Sequence, residues 1–211
     1  MIPKFCQAPL AAWGRHRIQC DGQGVATLVC FYGCPLRCKY CINPFTWAKD
    51  TPCRNITPQE IYEMVRVDEL YFLATGGGVT FGGGEPLLYP GFIQKFREIC
   101  GPQWHICAET SLNVPWKNIS RVLDAVDVFY IDCKDTNSDI YRRYTGKDNA
   151  RMLKNLRKLA QLIPPERILV RLPLIPGYNT DEDRKRSKAL LEEMGIAHFD
   201  LFEYMLPTPA E

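Results

Sequence analysis

The sequence predicts an α/β fold, a partial (β/α)6 TIM-like barrel of parallel strands, with a doubly wound sheet as the alternative. Three observations support it. Short apolar runs rich in β-forming residues alternate with stretches of helical period at intervals of about 30 residues, the pattern of parallel strands joined by right-handed crossovers. The chain, at 211 residues, is short for a closed eightfold barrel, which takes roughly 250. The unusual polar residues fall at the C-terminal ends of the expected strands, the edge where βα folds do their chemistry.

The elements follow in order. VATLVCFY (25–32) is a short apolar run and reads as a buried strand. Thr57, Pro58 and Glu60 form a capping-box pattern that opens a helix with Ile61, Met64 and Val65 on one face. GVTF (78–81) is the next strand; 91–100 reads as a helix, 104–110 as a strand and 117–126 as a helix. DVFYIDC (127–133) is a buried strand, and Leu153, Leu156, Leu159 and Ile163 then recur at helical spacing. ILVRLPLI (168–175) is a strand, 181–194 a helix and HFDLFEY (198–204) the last strand. No linker or low-complexity segment interrupts the pattern. Residues 1–211 are expected to form one domain, with 1–20 as an N-terminal extension.

Hydrophobic residues make up 46% of the chain, enough for a sizeable core. The net charge of +2 carries no long run of one sign, which argues against nucleic acid and membrane surfaces as partners. No stretch approaches the roughly 18 apolar residues of a membrane span. Met1-Ile2-Pro3-Lys4 does not open a signal peptide. Ten cysteines in a chain of this length point to a reducing cytoplasm rather than a disulfide scaffold. Cys30, Cys107 and Cys133 lie in apolar runs, where cysteine behaves as a small hydrophobe.

GCPLRCKYCINP (33–44) holds Cys34, Cys38 and Cys41 at C-x3-C-x2-C spacing. Three thiolates hold three corners of a [4Fe–4S] cube and leave one iron open to another ligand, much as three-ligand zinc sites are the catalytic ones. Arg37 and Lys39 favour thiolates, and Gly33 and Pro35 bend the chain. Cys30, Cys34 and Cys38 form a competing triplet, set aside because Cys30 belongs to the apolar run. A zinc knuckle completed by a distant fourth cysteine, a non-catalytic module, remains the other reading of the spacing. Further polar residues gather at later strand ends: GGGEP (82–86), Glu109 and Thr110, Asp132 and Lys134, and Arg171.

The C-x3-C-x2-C triplet with an aromatic before its last cysteine resembles the radical S-adenosylmethionine (SAM) superfamily. DGQG (21–24), GGGVTFGGGEP (76–86), Glu109–Thr110, YIDCKD (130–135) and RLPLIPGYN (171–179) resemble, in order, the activating enzymes of glycyl radical enzymes. The resemblance implies that Cys34, Cys38 and Cys41 ligate a [4Fe–4S] cluster whose open iron is chelated by SAM. It implies that Tyr40 and Ile42 meet the adenine, that Gly83, Gly84 and Glu85 lie along the methionine, and that Lys134 meets its carboxylate, helped by Asp132 and Arg171. Glu109, Thr110, Asp132 and the Tyr130 carbonyl match a monovalent-cation site. The implied reaction is reductive cleavage of SAM to a 5′-deoxyadenosyl radical, which takes hydrogen from a glycine of a partner glycyl radical enzyme; a small molecule or peptide is the alternative substrate. No second cysteine cluster marks an inserted ferredoxin domain, so flavodoxin or ferredoxin is implied as the electron donor. Gly82 stands where the family often carries serine, and Met205 where it commonly carries histidine.

Overall fold

The computed structural model describes residues 7–205. One sheet contains β1 (Ala8–Ile18), β2 (Val25–Phe31), β3 (Arg54–Ile56), β4 (Gly78–Gly83), β5 (His105–Thr110), β6 (Val128–Asp132), β7 (Ile168–Leu174) and β8 (His198–Glu203), in the order β3-β1-β2-β4-β5-β6-β7-β8. From β2 to β8 every neighbouring pair is parallel, and these are the six strands expected from the sequence. β3 and β8 remain as edges, so the partial barrel stays open.

The sequence reading missed two strands. β1 pairs antiparallel with both β2 and β3, and it occupies most of the segment expected to be an N-terminal extension. Its sequence, APLAAWGRHRI, mixes proline, glycine and charge, so its pairing partners rather than its own pattern make it a strand. Cys6 lies outside the described residues.

Helices cover the outer face: α1 (Pro58–Val65) and α2 (Glu69–Thr75) lead into β4, and α3 (Pro90–Cys100) into β5. α4 (Trp116–Ser120) precedes β6, α5 (Ser138–Thr145) and α6 (Ala150–Ala160) precede β7, and α7 (Asp181–Glu193) precedes β8. The capping box at Thr57 and Glu60 is present, with reciprocal bonds of 3.2 and 2.7 Å. The expected 117–126 helix is shorter: α4 ends at Ser120 and tight turns carry the chain to Val126. α5 was not expected. The Asn137 side chain caps it, Gly146 ends it at φ +76°, and its apolar positions span barely two turns.

Strand alternation divides the core. On β6, Phe129 and Ile131 are fully buried against the helices, while Tyr130 and Asp132 point into the barrel lumen. Phe31 stacks on Phe81 at 5.5 Å and meets Phe92 edge-on at 4.9 Å, and Phe81 meets Phe96 at 5.3 Å, so aromatic packing joins β2 and β4 to α3. The helix side is apolar; the lumen carries the charge.

Buried Asn155 of α6 donates Nδ2 to the carbonyls of Leu112 (2.9 Å) and Val114 (2.8 Å), fixing the loop after β5, in which Leu112 holds φ +53°. Asn155→Ala leaves both carbonyls without a donor and is expected to cost about 2–4 kcal/mol in urea unfolding.

Candidate active site

The cysteine loop leaves β2 at its C-terminal end and is held from two sides. From the sheet, the Gly84 amide donates to the Phe31 carbonyl at 3.1 Å and the Glu85 amide to the Gly33 carbonyl at 2.7 Å. Gly83 sits at φ +82°, and a Cβ on Gly84 would lie 2.2 Å from the Gly33 oxygen, so only glycine lets the two loops touch. From the helix layer, the last carbonyls of α5 accept from the loop: Thr145 from the Arg37 amide (2.9 Å) and Tyr144 from the Lys39 amide (3.1 Å). Arg37 braces the turn internally, with Nη1 donating to the Cys34 and Leu36 carbonyls at 2.7 Å and its guanidinium over Trp47 at 4.9 Å.

The loop forms the rim of a cavity of about 410 Å³ at the C-terminal ends of the strands. Cys34, Cys38 and Cys41 line it with Tyr40, Gly83 and Gly84. A relay of alternating charge crosses the floor. Glu109 of β5 accepts from Arg171 of β7 at 2.9 Å; Arg171 also donates to Asp132 of β6 at 2.8 Å; Asp132 pairs with Lys134 at 3.2 Å; Lys134 donates to the Tyr204 hydroxyl at 3.0 Å. Burial alone would raise the Asp132 carboxyl, but Arg171 and Lys134 hold it down at about 2. Burial works against the Lys134 ammonium too, yet Asp132 and Tyr204 keep it charged. Burial pushes Glu109 up, with Arg171 pulling against it.

Residues 28–190 match the radical SAM superfamily. The chain belongs to that superfamily. The pyruvate formate-lyase-activating enzyme of Staphylococcus aureus is 36% identical over 170 residues, an alignment covering 77% of this chain and 67% of that protein. Among solved structures, SuiB of Streptococcus suis bound to S-adenosylmethionine shares the fold at a TM-score of 0.63 and 14% identity, over 84% of this chain and 40% of that one. A second, anSMEcpe with bound AdoMet, gives 0.57 at 15% identity, over 85% of this chain and 50% of that one.

The superfamily uses a [4Fe–4S] cluster and SAM, and the residues of this radical SAM protein fit both. Among the described residues no three Cys, His, Asp or Glu side chains converge on a point where one metal ion would sit. Three thiols on one loop that lines the cavity suit a cube, which takes one thiolate on each of three irons. Burial raises the Cys34 thiol to about 12 and Cys38 to about 11, so these thiolates form only with a cation in the proton's place. Lys134 and Arg171 supply positive charge for a carboxylate, and the cavity has room for a nucleotide.

The structure separates some residues that the sequence groups together. Glu85, expected along the methionine, is buried with its carboxylate turned away from the cavity. It accepts from the Thr110 hydroxyl (2.7 Å), the Ser111 amide (2.9 Å) and hydroxyl (2.7 Å), and the Leu87 amide (3.2 Å). Gly83 and Gly84 are what this motif presents to the lumen. Glu109 and Thr110, expected to share a cation, are consecutive on β5 and point to opposite faces; the Thr110 hydroxyl is engaged by Glu85, outside the lumen. Ile42 is exposed at the cavity rim, and Tyr40 meets Tyr144 and Tyr178 edge-on at 6.0 and 5.7 Å. Met205 is 94% exposed, and the residue that β8 delivers to the relay is its neighbour Tyr204. Tyr204 was legible: in HFDLFEY, alternation puts Asp200, Phe202 and Tyr204 on one face, and all three line the cavity.

The relay makes a pH prediction. A carboxyl held at about 2 against an ordinary 3.8 stabilises the fold above pH 4, and that contribution is lost as pH falls toward 2. In the metal-free protein, Asp132→Asn is expected to cost about 3 kcal/mol at pH 7, by leaving Lys134 unpaired and Arg171 half-paired. It should also remove on the order of 2 kcal/mol from the acid limb between pH 4 and 2. Urea midpoints of the two proteins across that range measure both effects.

Proposed function

We propose that this radical SAM protein is an activating enzyme that installs a glycyl radical on a partner enzyme. The observation that carries the reading is the 36% identity to a pyruvate formate-lyase-activating enzyme over 170 residues, far above the identity to the solved radical SAM structures of the same fold. Cys34, Cys38 and Cys41 would hold the [4Fe–4S] cluster; Lys134 and Arg171 would receive the SAM carboxylate, Tyr40 and Ile42 would border the adenine, and Gly83 and Gly84 would let the methionine lie against backbone. When bound and reduced, the cluster supplies the electron that cleaves SAM to a 5′-deoxyadenosyl group able to take a hydrogen from the target glycine.

The chain's own residues orient and exclude. The charge relay leaves no carboxylate in the floor free of a cation, so an entering carboxylate meets paired groups rather than bare repulsion. Tyr40, Tyr144 and Tyr178 pack edge to face along one wall, with Tyr204 tilted against Tyr144, and keep water from that side. The open face beside β8, where Asp200 and Phe202 line the cavity, is the entry for a polypeptide glycine. Among the described residues no helix is long and apolar enough to cross a membrane, and the described cysteines are all free, which suits the reducing cytosol we assign to it.

The electron donor in this reading is an acidic one-electron carrier, flavodoxin or ferredoxin. Arg37 and Lys39 on the cysteine loop and Arg142, Arg143 and Lys147 around the end of α5 are all exposed. None of these five makes an ion pair with a described residue, whereas Arg66 and Lys188 pair with Glu63 and Glu192. They ring the loop that holds the cluster ligands, where complementary charge would speed docking.

Two measurements test the proposal. Anaerobic reconstituted protein, given SAM, reductant and a glycyl radical enzyme such as pyruvate formate-lyase, is expected to produce a doublet radical on that enzyme by electron paramagnetic resonance. SAM cleavage with no such doublet would count for a small-molecule or peptide substrate instead. Replacing Arg142 and Lys147 with glutamate should slow flavodoxin-driven cluster reduction about tenfold at low salt and flatten its ionic-strength dependence. Cluster content and reduction by a small-molecule reductant should stay unchanged.

A further inference from the structure

The charge relay ends on two neighbouring donors that each keep a proton unused. An ammonium carries three N–H groups and no acceptor. Lys134, buried in the wall of the cavity, pairs with Asp132 at 3.2 Å and donates to the Tyr204 hydroxyl at 3.0 Å; among the described residues it meets no third acceptor. The Tyr204 oxygen is thereby an acceptor, and its own O–H has no acceptor among the described residues. A hydroxyl that accepts from a cation is polarised into a stronger donor on its other side. At the opposite end of the relay Arg171 commits Nε to Asp132 and Nη1 to Glu109.

Tyr204 is held in place from three directions. Its amide donates to the Leu174 carbonyl at 3.0 Å, which ties the residue to the end of β7. Its ring meets Phe202 edge-on at 5.5 Å and tilts against Tyr144 at 6.3 Å. Of these two phenols Tyr144 holds its proton the harder, since burial and Tyr204 both push it up. Any bond between them therefore runs toward the Tyr204 oxygen and leaves the Tyr204 proton free. Lys134 and Tyr204 both line the cavity that Cys34, Cys38 and Cys41 rim.

We infer that Tyr204 is a binding residue of the cofactor site, its hydroxyl donating, beside the Lys134 ammonium, to the carboxylate of SAM. Nζ and Oη stand 3.0 Å apart, two adjacent donors for the two oxygens of one carboxylate. The family resemblance assigns that carboxylate to Lys134, Asp132 and Arg171 and passes over Tyr204. The inference rests on the cofactor site of the superfamily and not on the partner enzyme, so a failed glycyl-radical assay leaves it standing.

Four cluster-loaded proteins test it with no partner present: the parent, Tyr204→Phe, Lys134→Met and the double variant. Anaerobic equilibrium dialysis measures the binding of SAM and of decarboxylated SAM, which lacks only the carboxylate. Tyr204→Phe keeps the ring and its aromatic contacts, and comparing two ligands on one protein cancels any difference in cluster loading. The variant is expected to weaken SAM about tenfold, the loss of one charge-assisted bond, and to hold decarboxylated SAM within about twofold of the parent. In the Lys134→Met background the same change should still weaken SAM about threefold, because the phenol makes its own contact. An unchanged SAM affinity in Tyr204→Phe overturns the inference. An equal loss for both ligands also overturns it, and would make Tyr204 a wall against which the nucleotide packs. So does a loss that vanishes in the Lys134→Met background, which would make Tyr204 a support for Lys134 alone.

Discussion

One guanidinium holds the polar half of this molecule together. Arg171 stands in the middle of β7, faces the lumen and reaches Asp132 on the next strand and Glu109 on the one beyond, at 2.8 and 2.9 Å. Its planar fork can serve two carboxylates at once; a lysine ammonium in the same place would serve them only as a point charge. The floor then comprises two carboxylates and two cations in alternation, ending at the Tyr204 hydroxyl. Such a relay is tolerable in a largely buried lumen because no member is left without an opposite charge. The open sheet depends on it, because β5, β6 and β7 turn these side chains, not apolar ones, toward the same space.

The second constraint is how closely two loops approach. Gly83 and Gly84 bring the turn after β4 against the cysteine loop after β2, and Glu85 anchors that turn from behind by bonding across to Thr110 and Ser111 after β5. A similar link joins the later motifs: Asn179, in the turn after β7, donates to Asp135 after β6 at 3.1 Å while its carbonyl oxygen accepts from Ile175. Pieces that are far apart in the sequence are thus consecutive links around the rim. Collinear short motifs carry information here because each motif is half of a contact with another.

Much of this was legible in advance. The six parallel strands follow from alternation of apolar runs and helical patterns, and the cysteine triplet names its chemistry by stopping at three. The rest depended on properties that a one-dimensional pattern does not carry. β1 forms because β2 and β3 offer it ladders on both sides, which its own mixed composition does not announce. Glu85 and Thr110 enter the expected sites through the resemblance alone; each stands beside residues that face the lumen, and in a strand or tight turn the neighbouring residue faces the other way. The two-turn helix α5 had no signal of its own in the sequence reading; its end acquires meaning from the cysteine loop that it grips.

The field across the cysteine loop is not uniform. The thiol of Cys34 is raised by burial and then further by Glu85, whereas Cys38, raised by burial, is drawn back by Lys134. The Cys34 thiol therefore faces the buried Glu85 carboxyl behind the glycines, itself pushed up by burial, and the Cys38 thiol faces the cationic end of the relay. An anionic ligand entering the cavity is attracted toward Lys134 and the Cys38 side. A chain that buries a carboxyl behind one thiol of the loop and sets a lysine beside another thereby gives the cavity a field that points toward the Lys134 end of the relay.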